Sequence, residues 1–392
     1  MSIYFFSQFH RTAIGPLAGV LMIEFQLSAS GIGLIASTYF IVYASLQIVY
    51  GFAIDRIGSR KVVGYTAPIF LLSGFLFALS PNFEIIIVSR ILIATGMAGV
   101  YVAGLKAMAL TFKPRSHGKV VGLYTGWGYS ASIIGMVIPS MLLDIGISWR
   151  ETFLSIGFIS IFCYGLFLFL SQGEKTTKIC REKKSFDYKI FHDRYMLIIC
   201  FTQAVAFGVF LGLVTWGPKY FFDSYDWSRS ISGFMAALPA LSIAIGGPLT
   251  GYIVDRSGRR FKTYTLSFFL TSIFLGILIL SVIIENAILS VISLTLASLA
   301  LSGFIIWPVL LIKDKGEGDL ARVLSVGNTC SFTSAFIFPY MMGRILDQFV
   351  PTVVSGEGIY GTQAYMWIFF VCFVMITLSA FVLRIMRISK GE

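Results

Sequence analysis

Long apolar stretches alternate along this chain with short connections that carry nearly all of its charged residues. Uncharged apolar runs cover residues 25–54, 62–83, 120–143, 152–173, 195–218, 230–254, 263–284, 286–312, 323–343 and 358–383. Two further stretches, 2–23 and 85–110, match them apart from Arg11, Arg90 and Lys106. A bilayer core about 30 Å thick is crossed by roughly 20 apolar helical residues. The pattern therefore predicts an all-α integral membrane protein with twelve transmembrane helices.

Composition supports the same class. Of 392 residues, 57% are hydrophobic and 12% are charged, whereas an ordinary soluble domain has about 25% charged residues. The five cysteines are scattered and include no Cys-x-x-Cys pair, which argues against a disulfide framework or a zinc site. The sequence contains neither a Walker loop nor a catalytic cluster on one helix face. We expect no metal, no cofactor and no enzymatic activity.

One charged loop occurs twice, at equivalent places in the two halves of the chain. Gly51, Asp55 and Gly58 recur as Gly251, Asp255 and Gly258, at an offset of 200 residues. The prolines at 139 and 339 show the same offset. Doubled membrane units are common in solute transporters. The repeat predicts pseudosymmetric six-helix bundles at 1–170 and 196–392, joined by a segment at 171–195.

Basic residues set the predicted orientation. Of the 30 Lys and Arg residues, 23 lie in alternate connections, in the central segment or in the C-terminal tail. Cytoplasmic loops carry such an excess, so we expect a multi-pass protein of the cell membrane with both termini cytoplasmic. The same bias accounts for the net charge of +11 without nucleic-acid binding. The expected partners are the lipid bilayer and a small-molecule substrate, and we expect a monomer.

Each residue type in the repeated loop has a physical use. Gly58 and Gly258 suit a tight reversal with positive φ, and Gly51 and Gly251 would let helices approach closely. The carboxylates at 55 and 255 lie at helix ends, where they can accept hydrogen bonds from a neighbouring helix or an arginine. The alternative is that these charges only enforce topology.

The loop resembles the signature of the major facilitator superfamily. The resemblance rests on Gly51-x-x-x-Asp55-Arg56-x-Gly58-x-Arg60-Lys61 and its echo after Gly251, and it extends over the whole chain. It implies two bundles that rock about a central cavity. It also implies a latch formed by Asp55, Arg56 and Arg60, with Asp255, Arg256 and Arg260 as its pseudosymmetric partner.

Polar and aromatic residues within certain predicted spans are candidates for substrate binding. They are Tyr43, Gln47, Tyr124, Trp127, Gln203, Trp216, Trp307 and Asn328. Polar groups buried in lipid need a partner or water. The alternatives are interhelical hydrogen bonds and, for Tyr or Trp near span ends, anchoring at the membrane interface.

Arg11 is the strongest single candidate. It lies within the first predicted span beside His10, while none of the 19 acidic residues lies in the middle of a span. A buried unpaired arginine is costly, so we expect an anionic substrate to face it. The alternative is that Arg11 reaches polar partners or the cytoplasmic surface. We expect Arg90 to brace helix packing and Lys106 to extend to the cytoplasmic surface.

The segment Phe9-His10-Arg11, with Lys106 to Arg115, is similar to the anion:cation symporter branch of the superfamily, which includes hexuronate and phthalate permeases. Members of that branch commonly have Asp-Arg in helix one, where this chain has His10 before Arg11. They also have an acidic residue in helix four, where this chain has Met97. We therefore expect a secondary transporter of a small organic anion that works by alternating access. The coupling ion, H⁺ or Na⁺, stays open. The alternatives are transport of neutral or lipophilic solutes, as in drug efflux or peptide transport, and a transport-inactive membrane sensor.

Overall fold

The chain folds almost entirely into α-helices, as seen in a computed structural model that describes residues 2–112, 117–170, 193–312, 317–354 and 357–390. The helices of the first half are α1 (Ser2–Thr12), α2 (Ile14–Glu24), α3 (Ala29–Ile57), α4 (Ser59–Ala78), α5 (Phe83–Met97), α6 (Val100–Thr111), α7 (His117–Asp144) and α8 (Trp149–Leu170). Those of the second half are α9 (Arg194–Tyr225), α10 (Arg229–Ser257), α11 (Arg260–Ile283), α12 (Ala287–Leu301), α13 (Trp307–Ile312), α14 (Glu317–Leu346) and α15 (Thr362–Lys390).

Ten helical stretches of the described chain are long and apolar enough to cross a membrane. The predicted all-α membrane architecture is therefore confirmed. The exact count of twelve stays a prediction, because the first predicted span consists of two 11-residue helices, α1 and α2. The predicted span at 323–343 is also helical, within α14, but it is more polar than the other ten. The proposed central segment at 171–195 lies mostly outside the described residues.

Three of the predicted spans are interrupted. A break at Ala13 separates α1 from α2, the pair Ala98–Gly99 separates α5 from α6, and a 3-10 turn at Ser302–Ile306 precedes α13. Pro16 and Pro308 lie in the first turns of α2 and α13, where the missing proline N–H costs no helical hydrogen bond. The first and third breaks adjoin the central cavity described below.

The second glycine in each copy of the repeated loop, Gly58 or Gly258, adopts the conformation that the sequence predicted. Gly58 has φ of 90° and Gly258 has φ of 65°. Their backbone N–H groups donate to the carbonyls of Ile54 and Val254, at 3.0 and 2.9 Å. Each glycine thus ends one long helix and turns the chain into the next. We call this side of the molecule the inner end and the opposite side the outer end.

A short hairpin covers part of the outer end. Strand β1 (Thr352–Val354) pairs antiparallel with β2 (Glu357–Ile359), in the connection between α14 and α15. Glu357 forms an ion pair with Arg229 at the start of α10. Lys219 of α9 donates to a carbonyl of β2 at 2.8 Å. The hairpin is therefore fixed to two helices of its own half.

The two halves of the chain meet closely on the outer side. Helix α2 packs on α9, α3 packs on α14, and α7 packs on α10. A β-carbon added at Gly33 would come within 2.6 Å of the Pro339 carbonyl oxygen, and one at Gly15 within 2.8 Å of the Thr215 carbonyl. Such contacts leave room for glycine alone, so the two bundles touch backbone to backbone at this end.

Candidate functional site

A cavity of about 200 Å³ lies between the two halves. Its wall includes polar residues from α1, α3 and α7 and mainly apolar residues from α9, α10 and α14. The volume is below the 300–1,000 Å³ that is typical of pockets for drug-sized ligands. The cavity therefore suits a small solute.

Arg11 forms the electropositive part of this cavity. Its guanidinium carbon lies 4.4 Å from the ring centroid of Tyr43, 5.2 Å from that of Tyr39 and 5.8 Å from that of Phe332. Its Nε and Nη2 atoms are shielded from solvent and have no hydrogen-bond partner among the described residues. Aromatic faces attract a cation, but they cannot accept directed N–H bonds as an anion does. The N–H groups of these two nitrogens are therefore suited to an anionic oxygen.

The described residues supply no counter-charge to Arg11. Ion pairs in the described part of the chain join Glu24 to Arg150, Lys219 to Asp223, and Arg229 to Glu357, all at the outer end. No Asp or Glu of the described chain lines the cavity. A desolvated, unpaired guanidinium is unfavourable, so binding of an anion would relieve an existing electrostatic cost.

The other two intramembrane cations are held by backbone carbonyls. Arg90 is fully buried, and it donates to the carbonyls of Ile35 at 3.1 Å and His10 at 2.8 Å. Lys106 donates to the Ile54 carbonyl at the inner end of α3, at 3.0 Å. Neither lines the cavity. Arg90 therefore fixes α1 against α3 and leaves Arg11 as the cation that faces the cavity.

The structure brings together four of the predicted substrate-binding residues: Arg11, Tyr43, Gln47 and Asn328 all line the cavity. It does not place His10 there. The His10 ring packs edge-on against Phe70 and Phe153, both at 5.3 Å between ring centroids. Consecutive helical residues point about 100° apart; Gln8, Arg11 and Thr12 occupy the side of α1 that lines the cavity, and His10 lies on the side that packs against α4 and α8.

The remaining predicted residues lie outside this cavity, each with a different role. The Tyr124 hydroxyl donates to the Val100 carbonyl at 3.2 Å, and Trp127 is 46% exposed. The Gln203 side-chain oxygen accepts a hydrogen bond from Ser331. The Trp216 indole donates to the Pro339 carbonyl at 3.0 Å, and the Trp307 ring packs against Gly327. Interhelical packing, the alternative considered from the sequence, describes most of these residues.

Sequence reasoning missed the apolar wall. The second half contributes Phe207, Phe210, Leu211, Ala240, Phe304 and Phe332. In a chain with 37 phenylalanines, an aromatic residue on a membrane helix gives no signal of its own. Neither the spacing along α9 nor the residue types separate Phe207 from Phe201, which is 52% exposed and does not line the cavity.

Two carboxylates close the outer end across the interface of the bundles. Asp347 follows α14, and it accepts hydrogen bonds from the first two backbone N–H groups of α3, Ala29 and Ser30, at 2.7 and 3.1 Å. Asp144 ends α7, and it accepts from the first two N–H groups of α10 at 3.1 and 2.7 Å. Each acid of one half therefore caps a helix of the other half. Sequence reasoning did not single out these acids.

The capped helices also correspond within the repeat. Ser28 accepts from Gly31 N–H at the start of α3, and Ser228 accepts from Ile231 N–H at the start of α10. The offset between the two serines is 200 residues. Helix N-termini favour negative charge, and each terminus here has three of its free N–H groups satisfied. The outer closure is thus a twofold-related pair of caps.

The inner end is open by comparison. A β-carbon at Gly51 or Gly251 would meet no described atom within 4 Å. In this conformation neither glycine makes a close helix contact with described residues, so their role in helix approach stays a prediction.

Most of the predicted latch residues that the structure describes are exposed in this conformation. Arg56, Asp255, Arg256 and Arg260 are exposed, and the Arg256 guanidinium donates to the Tyr252 hydroxyl of its own helix at 3.1 Å. Arg60 borders a separate inner cavity. The Asp55 side chain lies outside the described part of the chain, so the latch stays a prediction.

Comparison with known proteins agrees with this architecture. The family model described as "Major Facilitator Superfamily" matches residues 1–339. An uncharacterized transporter of Bacillus subtilis is 26% identical over 281 residues, which cover 65% of this chain and 64% of that protein, slightly under two thirds of its length.

Two further relatives match over longer regions. A probable sulfoacetate transporter of Cupriavidus necator is 22% identical over 384 residues, with 90% of this chain and 88% of that protein covered. A hexuronate transporter of Bacillus subtilis is 24% identical over 366 residues, with 86% and 84% covered.

A solved structure shares the fold. A bacterial homolog of the human lysosomal transporter Spinster, in an inward-facing and occupied conformation, superposes with a TM-score of 0.82. The superposition covers 98% of this chain and 94% of that chain at 16% identity. At this identity the likeness concerns the fold alone.

Proposed function

This chain belongs to the major facilitator superfamily, and we propose that it is a secondary active transporter that moves a small organic anion across the membrane by alternating access. The single observation that supports the anion is Arg11, which lines the cavity and whose buried Nε and Nη2 atoms have no hydrogen-bond partner among the described residues. Two relatives named for sulfoacetate and hexuronate, which are anions, support the same class of substrate.

The closure of one end supports alternating access. Backbone contacts at Gly15 and Gly33 and the caps by Asp144 and Asp347 all hold the outer end together. A β-carbon added at Gly51, Gly251 or Gly258 of the inner loops would meet no described atom within 4 Å. We propose that this is the inward-open state, with the repeated loops facing the cytoplasm. The outward-open state would break the caps and bring the inner loops together as the predicted latch.

Energy would come from an ion gradient or from exchange of one anion for another. No acid of the described residues lines the cavity, so a proton carried on a cavity carboxylate has no support there. The measurements should therefore impose a pH gradient, a sodium gradient and a membrane potential separately.

The test is uptake of radiolabelled carboxylates and sulfonates into proteoliposomes, with protein-free liposomes as background. Arg11→Ala should abolish uptake, because the substrate loses its only cationic partner in the cavity. Arg384→Ala, which removes an exposed arginine near the inner end of α15, is the matched control and should keep it. If both variants stay folded and transport anions equally well, or if only uncharged solutes are transported, the proposal is wrong.

A further inference from the structure

We propose that the transported anion carries a single negative charge on an apolar body, aromatic or branched aliphatic, and not on a polyhydroxylated chain. This inference rests on the proposed anion transport, and it makes that function more specific. It follows from the way in which the two halves of the chain divide the cavity wall between them.

The first half provides the polar wall. Its lining residues include Gln8, Arg11, Thr12, Tyr43, Gln47 and Tyr129. Part of this polarity is already used inside the protein, since the Gln8 amide donates to the Tyr4 hydroxyl at 2.6 Å and the Thr12 hydroxyl to the Ser132 carbonyl at 2.9 Å. The Arg11 guanidinium is the one charged group among the described residues of this wall, so this wall recognises one anionic group.

The second half provides the apolar wall. It consists of Phe207, Phe210, Leu211, Ala240, Phe304 and Phe332, with Asn328 as its polar member among the described lining residues. The ring centroids of Phe207 and Phe332 lie 5.7 Å apart in an edge-to-face arrangement, and those of Phe207 and Phe304 lie 6.1 Å apart. Three rings thus form a continuous surface that matches another ring or a branched aliphatic group.

A sugar acid fits poorly in a cavity with one polar wall and one apolar wall. A chain that bears hydroxyl groups on both sides would press some of them against the ring surface, where only Asn328 offers a hydrogen bond. A polar group that loses water without gaining a partner is destabilised. A second carboxylate would likewise meet no cation, because Arg11 is the sole cation among the described residues that line the cavity.

The charge and the body of the substrate can be varied separately in a binding and uptake panel. The probes are phenylacetate, gluconate, phthalate and benzyl alcohol, measured by calorimetry on the purified protein and by uptake into proteoliposomes at pH 7.5. We expect phenylacetate to bind at least ten-fold tighter than gluconate, which is within the discrimination that an apolar pocket achieves. Phthalate, with two charges, should also bind more weakly than phenylacetate.

A pair of variants of α9 tests the wall itself. Phe207→Ser places a hydroxyl in the apolar wall and should reduce the preference for phenylacetate over gluconate at least five-fold. Phe201→Ser is the matched control at an exposed position of the same helix that does not line the cavity. Its hydroxyl can bond to its own helix backbone, so it should leave the preference unchanged.

The outcomes separate this inference from the function on which it rests. Arg11-dependent binding of gluconate that equals or exceeds that of phenylacetate would overturn the apolar body and leave anion transport intact. Equal effects of Phe207→Ser and Phe201→Ser on the preference would also overturn it. If no probe anion is bound or transported in an Arg11-dependent way, both the inference and the proposed function fail.

Discussion

Neutralising the two outer caps should move the transporter toward its outward-open state. The perturbation is Asp144→Asn combined with Asp347→Asn. Each acid accepts two backbone N–H bonds from the first residues of a helix in the opposite half, at distances between 2.7 and 3.1 Å. These contacts exist only while the outer end is closed. Weakening them therefore raises the population of the outward-open state by the free energy that the contacts lose.

The size of the effect follows from the charge on the acceptor. A hydrogen bond to a charged group contributes about 1.5–3 kcal/mol, against about 1 kcal/mol for a neutral one. Each aspartate uses both of its oxygens, whereas asparagine keeps one acceptor oxygen and loses the charge, so each substitution should remove about 2 kcal/mol. The two caps share no residues, and their effects should add. We expect the ratio of open to closed outer ends to rise roughly thirty-fold for either variant and close to a thousand-fold for both.

The assay is the labelling rate of a buried outer position by a membrane-impermeant maleimide. Ser232 is 1% exposed and lies beside a small closed cavity at the outer end, next to Arg229 and Ser140. Ser232→Cys, in a background without the five native cysteines, should react only when the outer end opens. When opening and closing are fast, the rate reports the open population.

Asp226→Asn is the matched control. Asp226 is an exposed outer acid with φ of 51°, a conformation that asparagine also tolerates. It should leave the labelling rate unchanged. If the Asp144 and Asp347 double variant labels no faster than the Asp226 variant while remaining folded, the caps do not hold the outer end closed and the reasoning is refuted.

Three further predictions concern packing, a buried ion pair and the inner loop. Gly33→Ala should destabilise the closed outer end by about 1–3 kcal/mol, because its β-carbon would lie 2.6 Å from a carbonyl oxygen of α14. It should therefore speed the maleimide labelling of Ser232→Cys. Gly64→Ala is the control, since its β-carbon would meet open space, and it should leave the labelling rate unchanged. Asp223→Asn strands the buried Lys219, its partner at 2.9 Å, so we expect a loss of about 3–5 kcal/mol. This loss would appear as a lower Tm in a thermal unfolding scan and should be partly recovered by adding Lys219→Met. Asp55→Asn should preserve expression and folding and slow uptake into proteoliposomes, and an unchanged rate would contradict the predicted latch.

The architecture could be predicted from the sequence because a lipid environment permits few kinds of backbone structure. Backbone groups inside a bilayer must be satisfied within helices, so apolar length alone predicts the elements. Gly58 and Gly258 then predict where two long helices turn. The interruptions at Ala13 and at 302–306 were not predicted, since glycine and proline are common in membrane helices and mark a break only when packing demands one.

Only part of the candidate site could be predicted from the sequence. Arg11 and Tyr43 could be identified because a charge or a hydroxyl in lipid needs an explanation. His10 could not be excluded without the helical phase of α1, and Phe207 could not be included without knowing which side of α9 faces the partner bundle. Asp144 was hidden for another reason: an acid at a helix end is ordinary, and its function depends on a helix 85 residues further along the chain.

The two halves have equivalent residues at the outer end, where they would separate during transport, and different residues in the cavity, where the solute would bind. At the outer end, acids and serines of both halves form equivalent caps. In the cavity, corresponding residues differ in chemistry: the offset of 202 that relates Gly15-Pro16 to Gly217-Pro218 pairs Arg11 with Leu213, and the offset of 200 pairs Ser132 with Phe332. A symmetric pocket would present two cations, or none, to the solute. The difference between the halves therefore gives the solute one charged wall and one apolar wall, while equivalent contacts at the ends would allow the bundles to rock about it in the proposed transport cycle.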